Sequence, residues 1–263
     1  MLFSLQDVFG MTVRATDGDA GSVHDVYLDR REWRVRYLVV MTGPWLLGRR
    51  VLISPEAAEA PLWDDKAVPV NLTRDQVRDS PDVDLDRPVS RQDLDMLNTY
   101  YGWPAFWLGG PTGASTPTQG YPIGVVPGVA DRPGAEREPE PFEDTRRDED
   151  PDLHSAREVI GYRIRATDDH VGTVSDMLLD DSWTVRYLIV DTGGILPGKR
   201  VLVAPPWVRD IVEGGREIVV DLAADALRES PEYDPDRPFE RSDEERLYAY
   251  HSRTGYWERE RVR

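Results

Sequence analysis

The residues able to do chemistry in this chain are mostly carboxylates. Asp82, Asp84, Asp86 and Asp93 stand at the 1, 3, 5 and 12 spacing of a calcium loop, and Glu232, Asp234, Asp236 and Asp243 repeat it. The position that needs glycine for the sharp turn of such a loop holds Arg87 in one copy and Arg237 in the other, and Pro88 and Pro238 follow. The spacing is therefore read as a solvated acidic loop running into a helix, whose first N–H groups favour negative charge. The four histidines, His24, His154, His170 and His251, fall in no H-E-x-x-H or H-x-E arrangement and are read as incidental. Cysteine is absent, which removes disulfides, thiolate ligands and a thiol nucleophile. No G-x-S-x-G elbow occurs, and no glycine loop ends in Lys-Ser/Thr. No catalytic residue, metal or cofactor is expected, and the chain is read as not an enzyme; an enzyme with an unrecognised site is a second alternative.

Two further sets of residues require positioning. Arg36 and Arg186 lie inside apolar stretches, where a half-buried guanidinium needs an acid. The acids within reach of the same hairpins are Asp25 or Asp29 for Arg36, and Asp176 or Asp180 for Arg186. Tyr100, Tyr101, Trp103, Phe106 and Trp107 form an aromatic tail, repeated by Tyr250, Tyr256 and Trp257. Such rings either pack within the chain or anchor a partner, since Tyr and Trp dominate interface energetics. They are the candidate interface.

The elements that would hold these residues come in two copies. Val13-Arg14-Ala15-Thr16-Asp17 matches Ile164-Arg165-Ala166-Thr167-Asp168, and Gly21 and Asp25 match Gly172 and Asp176 at the same offset. One residue fewer separates the copies afterwards, where Trp33 and Val35-Arg36-Tyr37-Leu38-Val39-Val40 match Trp183 and Val185-Arg186-Tyr187-Leu188-Ile189-Val190. Gly48, Arg50, Val51, Leu52 and Pro55 match Gly198, Arg200, Val201, Leu202 and Pro205. A register held this long implies two homologous modules. Residues 1–108 and 158–263 are assigned to them, and 109–157, rich in Pro, Gly and acid, to a linker unable to bury a core.

Period-two alternation and Asp/Gly turns predict strands over 12–16, 21–28, 34–41 and 50–53 and their counterparts, with Trp33, Val35, Tyr37 and Val39 on one face. Short helices follow at 73–79 and after Ser90, with Ser242 and Glu245 placed as a capping box in the second copy. The fold class is mainly β with short helices: two small β-barrels, each followed by a C-terminal helix and an aromatic tail.

The runs Gly21-x-Val23-x-Asp25, Trp33 to Val40 and Gly48 to Pro55, present twice, resemble the PRC-barrel family. Met41 stands where the second copy has Asp191, and Pro44 where it has Gly194. The resemblance implies a binding or assembly module, an adaptor or scaffold, acting on a protein partner. The family includes the cytoplasmic domain of the photosynthetic reaction-centre H subunit, so the alternative it implies is an accessory of a reaction-centre or electron-transfer complex. Pairing of the two modules within the chain is expected, with the aromatic tails at the join and homo-oligomers open. The net charge of −17 argues against nucleic acid. No apolar run of membrane-spanning length occurs, and residues 1–10 lack a basic leader, so the expected location is the cytoplasm, with membrane association only through a partner.

Overall fold

A computed structural model describes residues 2–43, 48–81, 83, 89, 91–103, 153–193 and 198–260. The acidic residues Asp82, Asp84 and Asp86, and the tail residues Phe106 and Trp107, lie outside the described residues. The first half contains β1 (Leu2–Ser4), α1 (Leu5–Val8), β2 (Thr12–Ala15), β3 (Gly18–Asp29), β4 (Arg34–Thr42), β5 (Arg50–Ile53), β6 (Ala67–Pro69), α2 (Arg74–Arg78) and α3 (Arg91–Tyr101). The second contains β7 (Leu153–Ser155), α4 (Ala156–Val159), β8 (Arg163–Arg165), β9 (His170–Asp180), β10 (Val185–Asp191), β11 (Arg200–Val203), β12 (Val208–Val212), β13 (Glu217–Val220), α5 (Ala224–Arg228), α6 (Arg241–Tyr250) and α7 (Tyr256–Glu260). The second half's regular structure thus begins at Leu153, within the stretch assigned to the linker.

Each half is barrel-like without closing. The first sheet runs β5-β4-β3-β2-β6 and the second β11-β10-β9-β8-β13-β12. In both, the long antiparallel hairpin dominates and one parallel pairing, β2 with β6 or β8 with β13, folds the far edge back. Bulges along β3 and β9 bend the hairpins. A further bulge, at Arg36 on β4, also corrects the expected face of that strand. Trp33 and Val35 enter the main core, whereas Tyr37 and Val39 face outward into a second cluster under Leu94 and Leu97 of α3. Tyr37, Val39, Tyr187 and Ile189 are all buried.

The two sheets each borrow a strand. β1 pairs with β9 of the second sheet, and β7 pairs with β3 of the first, both antiparallel. Neither strand is legible in the residues, because each has three residues and a partner on the opposite half. The hairpin turns then meet: Val35 N–H donates to Trp183 O at 2.9 Å, and Val185 N–H donates to Trp33 O at 2.7 Å. This reciprocity is that of a two-fold axis relating the halves. Both tryptophans have positive φ, 53° and 59°. An aromatic residue pays of order 1–3 kcal/mol for that conformation, and here the exchanged hydrogen bonds and burial of both rings hold it.

Gly21 and Gly172 have a mechanical role. A Cβ on Gly172 would lie 2.0 Å from Asp191 O, and one on Gly21 would lie 2.3 Å from Met41 O. Both obstacles are backbone of the neighbouring strand, so neither yields without moving the hairpin. Gly172→Ala is expected to cost about 1–3 kcal/mol, the usual range for overpacking, or more. Urea unfolding measures it, and an unchanged midpoint contradicts the close approach.

Candidate functional site

The borrowed strands are pinned by the aspartates that end the Gly-x-Val-x-Asp runs. Asp25 accepts from Ser155 Oγ at 2.5 Å and from Arg157 N–H at 3.2 Å, both on the other half, and from its neighbour Val26 N–H at 2.8 Å. Asp176 mirrors it, with Ser4 Oγ at 2.5 Å, Gln6 N–H at 3.1 Å and Met177 N–H at 2.7 Å. Burial raises the pKa of both carboxyls, and the hydrogen bonds from serine and backbone oppose that rise. The serines also cap the short helices that follow, because Ser4 Oγ accepts from Asp7 N–H and Ser155 Oγ from Glu158 N–H. One motif thus binds a strand end and starts a helix.

Of the two acids within reach of each arginine, Asp25 and Asp176 are thus taken up by the borrowed segments. Arg36 instead reaches Asp29 at 2.9 Å and Glu32 at 2.7 Å, and Arg186 reaches Asp180 at 2.6 Å. Asp29 Oδ1 accepts from Arg31 and Glu32 N–H, and Asp180 Oδ1 from Ser182 and Thr184 N–H. The arginines therefore brace the turns that present Trp33 and Trp183 to each other.

Beside the exchanged β1 lies a groove of about 710 Å³ with walls from both halves. Phe3 and Trp63 come from the first half, and Asp176, Arg200, Tyr233 and Phe239 from the second. Phe3 bridges the join, its ring 5.3 Å from Trp63 and 5.8 Å edge-on from Trp183. Trp63 is 38% exposed and its neighbour Leu62 44%, so an apolar lip faces solvent.

The aromatic tails are elsewhere. Trp103 stacks on Tyr101 at 4.1 Å, and both pack on the outer cluster of their own half. Burial pushes the Tyr101 phenol up to about 12. Tyr100 is exposed, with its hydroxyl donating to Gln76 O at 3.0 Å. In the second half Tyr256 donates to Glu244 at 2.8 Å, under the Arg186 guanidinium at 4.2 Å, and Trp257 lies edge-on to Tyr248 at 5.0 Å. Tyr250 is exposed against His251. The described tail residues therefore cover their own barrels, and the expectation that they form the join is corrected. The rings are consumed by the outward faces of Tyr37 and Tyr187, which need a cover.

The remaining candidates are structural in their contacts. Asp243 pairs with Arg237 at 2.9 Å and Arg246 at 2.8 Å, and accepts from Glu240 N–H at 3.1 Å. The capping box of α6 is thus Glu240 with Asp243, two residues ahead of the expected Ser242 and Glu245. Among the described residues no group of three His, Cys, Asp or Glu could hold a metal ion. His24 and His170 are exposed and His154 is buried in the borrowed segment.

His251 carries a pH dependence. Its Nε2 lies 3.1 Å from Ser230 Oγ, and its ring 4.9 Å from Trp207. Burial, with the nearby charge of Arg253, lowers its pKa to about 4. The unfolded chain binds this proton near pH 6.5 and the folded chain only near 4, so the stability held by neutral His251 is full above about 6.5 and is lost as pH falls toward 4. Discounted for partial exposure, His251→Gln should remove about 1–2 kcal/mol of that loss between pH 7.5 and 4.5. Identical pH slopes in urea unfolding would contradict this placement.

The sequence pattern of the PRC-barrel domain matches residues 1–76 and 151–227, more than half of the chain. The chain belongs to the PRC-barrel family, in a tandem form. Each matched segment begins with the strand that completes the opposite half, so the units of sequence and the units of sheet are not the same. A search of curated proteins finds no match. Among the described residues, no helix is long and apolar enough to cross a membrane.

Proposed function

We propose that this protein is a non-enzymatic assembly module whose fused halves offer one composite groove to a protein partner. The observation that supports this is the groove beside β1, which has walls from both halves and a lip of exposed Leu62 and Trp63. Large exposed aromatics at a groove mouth are the residues that carry interface energy. The family membership supports a binding role in general. The net charge of −17 makes phosphate backbones poor ligands.

The test is affinity capture from the native cell with the intact chain and with Trp63→Ala. A protein recovered by the first and reduced at least about tenfold with the second supports the reading, since hot-spot aromatics cost 2 kcal/mol or more on truncation. Equal recovery overturns it. Analogy with the reaction-centre H subunit makes a membrane complex one identity for that partner, and co-sedimentation with native membranes distinguishes it from a soluble one.

A further inference from the structure

The two halves differ at one equivalent place, and the difference points to a ligand. In the second half the outward Tyr187 hydroxyl donates to Glu244 at 2.8 Å. Glu244 is buried, and it also accepts from Tyr256 at 2.8 Å and pairs with Arg241 at 2.6 Å. This carboxylate is supplied from within and fully used.

In the first half the residue at the place of Glu244 is Leu94. Tyr37 donates instead to Asn98 Oδ1 at 3.2 Å. Asn98 is 6% exposed, and its Nδ2 donor is buried without an acceptor among the described residues. A buried amide donor left unpaired costs free energy that an incoming acceptor recovers. A small cavity of about 60 Å³ opens beside it, lined by Asn98, Tyr37, Arg34, Arg36, Ser54 and Glu56. Arg36 is neutralised by Asp29 and Glu32. Arg34 is exposed at the mouth, and its side chain makes no ion pair or hydrogen bond among the described residues. The second half has Thr184, Ala204, Pro206 and Tyr248 where the first has Arg34, Ser54, Glu56 and Asn98. The Asn98 amide and the Arg34 guanidinium are therefore peculiar to the first half.

We propose that this pocket binds a carboxylate from another molecule, filling from outside the role that Glu244 fills from inside in the second half. Asn98 Nδ2 and the Arg34 guanidinium donate to its oxygens, as charge-assisted bonds. The space is that of about two waters, so it admits a carboxylate group and little more, and the rest of the ligand extends into solvent. An acidic side chain or a free carboxyl end of a partner chain has this form. Glu56 at the rim disfavours a dianion such as phosphate. The pocket shares no lining residue with the groove at the join, so its test stands or falls apart from that of the groove.

The probe is sodium acetate, titrated into the full-length 15N-labelled protein, with sodium chloride at matched ionic strength as control. The Asn98 side-chain amide, identified by its loss in Asn98→Ala, is expected to shift saturably with acetate, with half-saturation in the millimolar range, and not with chloride. Arg34→Ala changes an exposed residue, so folding is retained, and it should weaken the acetate response at least about fivefold. No saturable shift, the same shift in chloride, or an unchanged response in Arg34→Ala would each show that water alone fills the cavity and would overturn the proposal.

Discussion

Replacing Tyr187 with alanine is expected to lower the unfolding free energy by about 3–5 kcal/mol, the range for removing a large enclosed ring. Tyr187 is fully buried on the outer face of β10, with Phe239 at 5.6 Å and Tyr248 at 6.4 Å, both edge-on. Truncation opens a cavity among rings that α6 holds in place, so little collapse can offset it. It also removes the hydroxyl that donates to buried Glu244. Burial and that carboxylate both drive the Tyr187 phenol far above its ordinary pKa, so it remains a donor throughout the working pH range. Tyr187→Phe separates the two contributions, because it keeps the ring and costs only the hydrogen bond, about 1–3 kcal/mol. Urea unfolding of both variants gives the figures. A Tyr187→Ala midpoint equal to that of the intact protein would mean that the ring is not enclosed by the helix and tail.

Leu5→Ala should cost about 2–5 kcal/mol, as for other fully buried leucines. Its helix α1 has four residues and would have almost no stability alone. The size of the effect comes from where α1 docks. The strand it follows, β1, pairs with β9, and Ser4 and Gln6 fasten the segment to Asp176 of the second half. Leu5 and Val8 are completely buried in the shared core, as are Ala156 and Val159 in the reciprocal segment. Hydrogen exchange locates the damage. In Leu5→Ala the amides of β9 near Met177 to Leu179 should lose protection before those of β3. If the β3 amides open first, β1 and α1 belong to their own half and the exchange is absent.

Much of this architecture is legible in the residues. The repeat and its hairpins can be read because their information is local: alternation, Asp/Gly turns, and acids such as Asp29 within one hairpin of Arg36. Gly21 is legible as a glycine repeated at Gly172, and only the fold shows that Met41 O excludes a side chain there. Asp25 cannot be told from Asp29 as the partner of Arg36 by sequence alone, because what occupies Asp25, Ser155 and Arg157, lies on the other half. Nothing in a three-residue segment such as Leu153–Ser155 reveals a strand that pairs across the molecule. That the described tail residues lie away from the join is illegible for a related reason. Tyr and Trp suit a join and a barrel cover equally, and the bulge at Arg36, which turns Tyr37 outward to need that cover, leaves no trace in the alternation. The candidate pocket is visible only by overlaying one half on the other, where Asn98 meets Tyr248 and Leu94 meets Glu244.

The reciprocal exchange is tested most directly by cutting the chain between its halves. A site-specific protease sequence inserted within residues 109–152 allows the purified, folded protein to be cleaved there. Gel filtration with light scattering then reports the mass under native conditions. The two fragments should co-elute at the mass of the uncut chain, 29.9 kDa plus the inserted site, and separate only in denaturant, because each sheet still holds the other's strand. Fragments that part on dilution in native buffer, each eluting at about its own mass, would contradict the exchange and leave two independent barrels on one chain.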